Sequence, residues 1–134
     1  MPRVIDLMQK DIQTIREDAP VAEAIVLLAD RRVGALPVVN VHHELVGILS
    51  TSDILTAEAE TEDGTALNQV ATHMAVCDLM TAAPKTIAPD APVKLAAQEM
   101  LYLDVHRLLV VEDDTLVGVI SQSDIVRAVA SGAI

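Results

Sequence analysis

The sequence predicts an α+β fold made of two tandem copies of one β-α-β-β-α unit, and three observations carry that prediction. The chain repeats itself in register: Asp6-Leu7-Met8 returns as Asp78-Leu79-Met80, Thr14-Ile15 as Thr86-Ile87, and Asp18-Ala19-Pro20-Val21 as Asp90-Ala91-Pro92-Val93, all at one offset. Each copy holds two apolar, β-branched runs joined by a short polar stretch, the pattern of a β-hairpin. Each also carries two helix-start signals at matching places.

The elements follow in order along the first copy. A short strand is expected around Thr14-Ile15, and Asp18 in an N-cap position with Pro20 in the first turn opens a helix of about three turns. Ala35 to Val39 and Leu45 to Leu49 form the hairpin strands around Asn40-Val41-His42-His43-Glu44, and a second helix begins near Ser52. In the second copy Leu108-Leu109-Val110-Val111 answers Leu36-Pro37-Val38-Val39 at the same offset. The register then shortens by one residue, so that Leu116-Val117-Gly118-Val119-Ile120-Ser121 answers Leu45-Val46-Gly47-Ile48-Leu49-Ser50. A turn tolerates such a deletion; here it is Glu112-Asp113-Asp114-Thr115, and the last helix starts near Ser123. The organisation is therefore a first copy over residues 1–58, an acidic connector over 59–75, and a second copy over 76–134.

Composition sets the class of protein. Hydrophobic residues are 51% of 134, yet Trp and Phe are absent and Tyr102 is the only aromatic, so the core is aliphatic. Mean hydropathy is +0.41 without a long apolar run, which argues against a membrane span and for surface hidden by self-association, with a homodimer expected. Val21 to Ala29 is apolar nearly all round; it is expected either to meet its own sheet and a symmetry mate, or to lie buried wholly between the two repeats of one chain. The net charge of −11 opposes a phosphate backbone, so nucleic acid is not an expected partner. The start MPRVIDLMQK lacks an apolar signal core and Cys77 stands alone, which points to the cytoplasm and to Cys77 as a small buried hydrophobe.

The string Gly47-Ile48-Leu49-Ser50-Thr51-Ser52-Asp53-Ile54, repeated as Gly118-Val119-Ile120-Ser121-Gln122-Ser123-Asp124-Ile125, holds the candidate chemistry. It lies where a strand passes into a helix, so free N–H groups and the helix dipole favour an anion, and Ser50 or Ser121 adds a hydroxyl. Asp53 and Asp124 supply carboxylates that accept hydrogen bonds from vicinal ribose hydroxyls. The same residues also make an ordinary helix cap, and duplication does not separate the two roles.

These motifs resemble the CBS-domain family, named for cystathionine β-synthase, over nearly the whole chain. The resemblance implies that the two copies pack about a pseudo-two-fold axis into one compact module with two clefts for adenosyl ligands such as AMP, ADP, ATP or S-adenosylmethionine. It assigns phosphate contact to Ser50 and Ser121 and ribose contact to Asp53 and Asp124. It places adenine near Thr14-Ile15 and Thr86-Ile87, and it directs His106-Arg107 toward the phosphates where the first copy has the uncharged Gly34-Ala35. Arg31 and Arg32 are further candidates for phosphate charge, or else helix-end cations complementing the dipole.

The implied function is a non-catalytic sensor that requires no cofactor and passes occupancy to a regulated protein. The alternative is a structural dimerisation module with empty clefts. His42-His43, His73 and His106 lack a metal-ligand spacing, and no catalytic triad order or Walker-type loop is present.

Overall fold

The computed structural model of the chain describes residues 2–60, 73–82 and 85–134. Of the connector expected over 59–75, residues 61–72 lie outside the described residues. In chain order the elements are α1 (Val4–Leu7), β1 (Ile15–Arg16), α2 (Val21–Arg31), β2 (Ala35–Val39), β3 (Leu45–Ser50), α3 (Thr51–Ala59) and α4 (Val76–Leu79). There follow β4 (Thr81–Ala82), β5 (Thr86–Ile87), α5 (Val93–Leu103), β6 (Arg107–Glu112), β7 (Thr115–Ser121) and α6 (Gln122–Ala130).

The chain divides into two compact units, one of Gln13–Pro84 and one of Met1–Ile12 with Lys85–Ile134. They are called here the Ser50 unit and the Ser121 unit. In the Ser50 unit the sheet runs β1-β2-β3-β4, parallel between β1 and β2 and antiparallel thereafter. In the Ser121 unit it runs β5-β6-β7 with the same parallel and antiparallel pairings, and Gln9 bridges Val119 where β4 would lie.

These units cut the chain along different lines from the sequence copies. The opening segment of each copy completes the unit built from the other. Val4 of α1 is wholly buried among Ile87, Ala96, Met100, Leu108, Val110 and Ile120. Val76 of α4 is likewise buried among Ile15, Val21, Leu28, Leu36, Val38 and Leu49. The backbone supports both placements: Val4 N–H donates to Ala91 O and Val76 N–H to Ala19 O, at 2.9 and 2.8 Å. Two glycines make room for the crossing. A Cβ on Gly47 would stand 2.8 Å from both Met80 Sδ and the Thr81 carbonyl, and one on Gly118 would stand 2.7 Å from Met8 Sδ and 2.9 Å from the Gln9 carbonyl. The Gly of each Leu-Val-Gly string is thus set by the close approach of a neighbouring strand.

Both long helices bury the same face, Val21, Ala24 and Leu28 on α2 and Val93, Ala96 and Met100 on α5. That spacing is one face of an α-helix, and burial of these aliphatic side chains is what holds each helix to its sheet. Val26, on the other side of α2, stays 57% exposed. Both helices end in a Schellman turn with a non-glycine residue in left-handed conformation, Arg32 at φ 53° and Asp104 at φ 54°. Val33 N–H reaches Leu28 O and Val105 N–H reaches Met100 O.

Two local expectations are corrected. Asp18 and Asp90 do not cap: Pro20 and Pro92 take the cap position, without a side-chain cap bond. The reason is that the first free N–H of each helix, on Val21 or Val93, is met by a backbone carbonyl, Met74 or Pro2, so no side chain is needed there. Asp18 instead pairs with Arg16 at 3.0 Å. Cys77 is exposed rather than buried, because α4 is a single turn that spends its inward position on Val76.

The hairpins explain the lost residue. Asn40 N–H donates to Glu44 O, enclosing Val41–His43 with His43 at φ 61°, and the Asn40 side chain accepts from His42 and Glu44 N–H. The other hairpin turns on Asp113 and Asp114 alone, at φ 51° and 68°, the geometry of a two-residue turn matched to strand twist.

Candidate functional site

In each unit the hairpin's second strand runs straight into a helix, and the Ser-x-x-Asp string sits at the junction. Ser50 and Ser121 are the cap residues, and the helices start at Thr51 and Gln122, one residue before Ser52 and Ser123. The Asp53 N–H donates to Ser50 Oγ at 3.2 Å while Ser50 N–H donates to Asp53 Oδ2 at 2.8 Å. The Ser121 and Asp124 pair repeats these bonds at 3.2 and 2.8 Å. Both strings are therefore complete capping boxes, which fixes the rotamer of each Asp and commits Oδ2 to backbone. The other oxygen, Oδ1, is the one with capacity to spare.

That oxygen differs between the units. Asp53 is half-buried, and its Oδ1 has the Thr81 hydroxyl at 3.5 Å. Asp124 is 6% exposed, and its Oδ1 accepts from Gln9 Nε2 at 3.0 Å and from Arg127 Nη1 at 3.3 Å. Burial by itself pushes the Asp124 carboxyl up. The hydrogen bonds from the Ser121 backbone, Gln9, the Ser121 side chain and Arg127 outweigh it and hold the carboxyl below its ordinary value. Asp124 is therefore ionised under ordinary conditions.

Beside the Ser121 junction stands a cation. Arg107 opens β6 directly across from Ser121, and its side chain is exposed. His106 accepts a bond from Gln122 N–H at its carbonyl, and its Nδ1 lies 3.3 Å from Gln122 Oε1. The corresponding partner of Ser50 is Ala35, after Gly34, and a Cβ on Gly34 would meet nothing within 4 Å. So Ser121, Asp124, His106 and Arg107 gather at one strand end, while Ser50 and Asp53 gather at another without a charged neighbour across the ladder.

The first strands lie one strand further along each sheet. Ile15 pairs with Val38 and Ile87 with Val110, and both isoleucine side chains sit in the aliphatic cores. Thr14 is half-buried and Thr86 exposed, so these strands present threonine rather than isoleucine side chains at the surface. Arg31 and Arg32 are exposed at the end of α2, where Arg32 forms the left-handed turn. Among the described residues no group of three His, Cys, Asp or Glu is placed to hold a metal ion, and no helix is long and apolar enough to cross a membrane.

Gln9, Thr81 and Arg127 are the contacts that the sequence reading missed. Gln9 and Thr81 each follow the Met of an Asp-Leu-Met string, so the repeat marks their positions. Because their side chains differ, the repeat hides them as a pair.

Comparison with known proteins places this geometry among others. The family described as CBS domain matches residues 4–60 and 76–131. The crystal structure of CBSX2 in complex with AMP is 28% identical, with all of both chains covered and a TM-score of 0.82. The CBS domain pair of protein MJ0100, solved with 5-methylthioadenosine and S-adenosyl-L-methionine, is 27% identical over 98% of each chain, with a TM-score of 0.74. The human 5'-AMP-activated protein kinase subunit gamma-3 is 31% identical over 89% of this chain and 24% of its own length. The chain spans 43%, 24% and 60% of three further curated relatives, so it corresponds to one part of each.

Proposed function

Because the chain belongs to the CBS domain family, we propose that it is a non-catalytic regulatory module that takes an adenosyl ligand at its strand-to-helix junctions. The candidates are AMP, ADP, ATP and S-adenosylmethionine. The observation that carries this reading is a carboxylate with one oxygen locked on backbone and the other left over by its own cap, beside a hydroxyl at a helix N-terminus, built twice. Such a pair receives a ribose diol and a phosphate from one short loop. The adenosyl ligands named for CBSX2 and for protein MJ0100 support the same class.

In this proposal Ser50 with Asp53, and Ser121 with Asp124, take phosphate and ribose respectively. Thr14-Ile15 and Thr86-Ile87 border the base, and His106 and Arg107 add charge at the Ser121 junction. Occupancy shifts the population of conformers, and a second copy or a regulated protein reads that shift. No cofactor is needed for this role.

Thermal melting of the full chain with each candidate at millimolar concentration tests the proposal. A ligand at one hundred times its dissociation constant adds about 2.7 kcal/mol to stability. A shift that Asp53→Ala combined with Asp124→Ala removes supports the reading, with each variant's own ligand-free melt as its baseline. Absence of any shift favours the second reading, a structural dimerisation module, for which the self-sufficient capping boxes and the exposed Leu101, Tyr102 and Val126 speak.

A further inference from the structure

Gln9 and Thr81 hold equivalent places in the two units. Each lies just past the Met that covers a strand glycine, Gln9 opposite Val119 and Thr81 opposite Ile48. Each reaches the one oxygen of the junction Asp that the capping box leaves over. The reach is unequal: the Gln9 amide donates to Asp124 Oδ1 at 3.0 Å, whereas the Thr81 hydroxyl stands 3.5 Å from Asp53 Oδ1, at the outer edge of a hydrogen bond. Since Oδ2 is held by the Ser121 N–H, a ribose hydroxyl seeking Asp124 competes for Oδ1 with Gln9 at 3.0 Å and with the exposed Arg127 at 3.3 Å.

We infer that Gln9 is a specificity-determining residue, its amide standing in for a ribose hydroxyl on Asp124, so that a nucleoside must displace it in the Ser121 unit but meets no such rival in the Ser50 unit. This rests on the adenosyl reading above. A neutral amide on a charged, buried carboxylate is a strong bond to replace, and the Thr81 contact is a weak one. The two junctions therefore differ in ribose affinity chiefly through the shorter of the two bonds on Asp124 Oδ1, that of Gln9 at 3.0 Å, with the exposed Arg127 at 3.3 Å the lesser rival. A ligand with phosphate recovers part of the difference at the Ser121 unit, because Arg107 lies across the ladder from Ser121. Displacement of Gln9 also removes a tie that holds residues 1–12 to the rest of that unit.

The test is calorimetric titration of AMP into the full chain, with one junction disabled at a time. In an Asp53→Ala background, which leaves the Ser121 junction, Gln9→Thr tightens AMP by about tenfold, the scale of one hydrogen bond to a charged group. In an Asp124→Ala background, Thr81→Gln weakens AMP by a similar factor. The second experiment stands by itself should Gln9→Thr disturb folding, because Thr81 is exposed. Unchanged or weaker binding by Gln9→Thr, or unchanged or tighter binding by Thr81→Gln, overturns the inference while AMP binding itself leaves the adenosyl reading intact. No binding of AMP, ATP or S-adenosylmethionine to the parent chain or to any variant overturns that reading, and the inference with it.

Discussion

Gly118 lies under Met8 so closely that a Cβ there would come within 2.7 Å of the sulfur, and Gly47 stands in the same relation to Met80. The thioethers could turn aside, but the carbonyls of Gln9 and Thr81, at 2.9 and 2.8 Å from the same Cβ positions, are backbone in a strand pairing. Gly118→Ala and Gly47→Ala should each cost about 1–3 kcal/mol through overpacking. Gly34→Ala, where the added methyl meets open space, should stay within about 0.5 kcal/mol. Urea unfolding of the three variants checks the contrast.

The two junction carboxylates should also differ in what they contribute to stability. Asp124→Ala strips partners from the Ser121 N–H and Gln9 Nε2 at a buried place, whereas Asp53→Ala affects a half-buried one. Loss of the shared cap costs each variant about 0.5–2 kcal/mol, and Asp124→Ala should lose more than Asp53→Ala. Equal losses in denaturant unfolding would contradict the asymmetry described above.

Acid should find the same residue. The folded state holds the Asp124 carboxyl below its ordinary 3.8, so the unfolded chain takes up the proton first as pH falls. The stabilisation is then fully present above the unfolded value and is lost on descent through the lowered folded one. Stability curves against pH for the parent and Asp124→Asn should run apart near neutrality and converge below about pH 4.

Arg107 makes a prediction about ligand charge. With its guanidinium across the ladder from Ser121, Arg107→Ala in an Asp53→Ala background should weaken AMP and ATP by about tenfold. Adenosine, which has no phosphate, should be little affected. The converse change, Ala35→Arg, should tighten AMP at the Ser50 junction, where the neighbouring Gly34 has open space. Titration of both nucleotide and nucleoside separates a charge effect from a general loss of the site.

What could be read from the sequence was what short stretches of chain decide. The copies, the hairpin strands and the shortened Asp113-Asp114 turn depend on local periodicity and turn chemistry, and the structure carries all three. The junction strings were visible as strings, with capping and ligand binding both open. What was not visible depends on distant partners. Gln9 and Asp124 are 115 positions apart, and no local pattern announces their bond. Asp18 has the local pattern of a cap, but the N–H on Val21 that it would satisfy is met by Met74, far along the chain. The exposure of Cys77 follows from the one-turn geometry of α4, which residue type alone does not carry.

The burial of Val4 and Val76, each in the core made chiefly by the opposite copy, sets a lower limit on the size of the heritable unit. A lone copy, expressed from a halved gene, would present an unfilled hole and an unplaced plug. It could satisfy both only by trading with a second molecule. Duplication turns that trade between molecules into one along a single chain, so a protein severed between residues 60 and 73 should yield halves that refold together far better than either does alone.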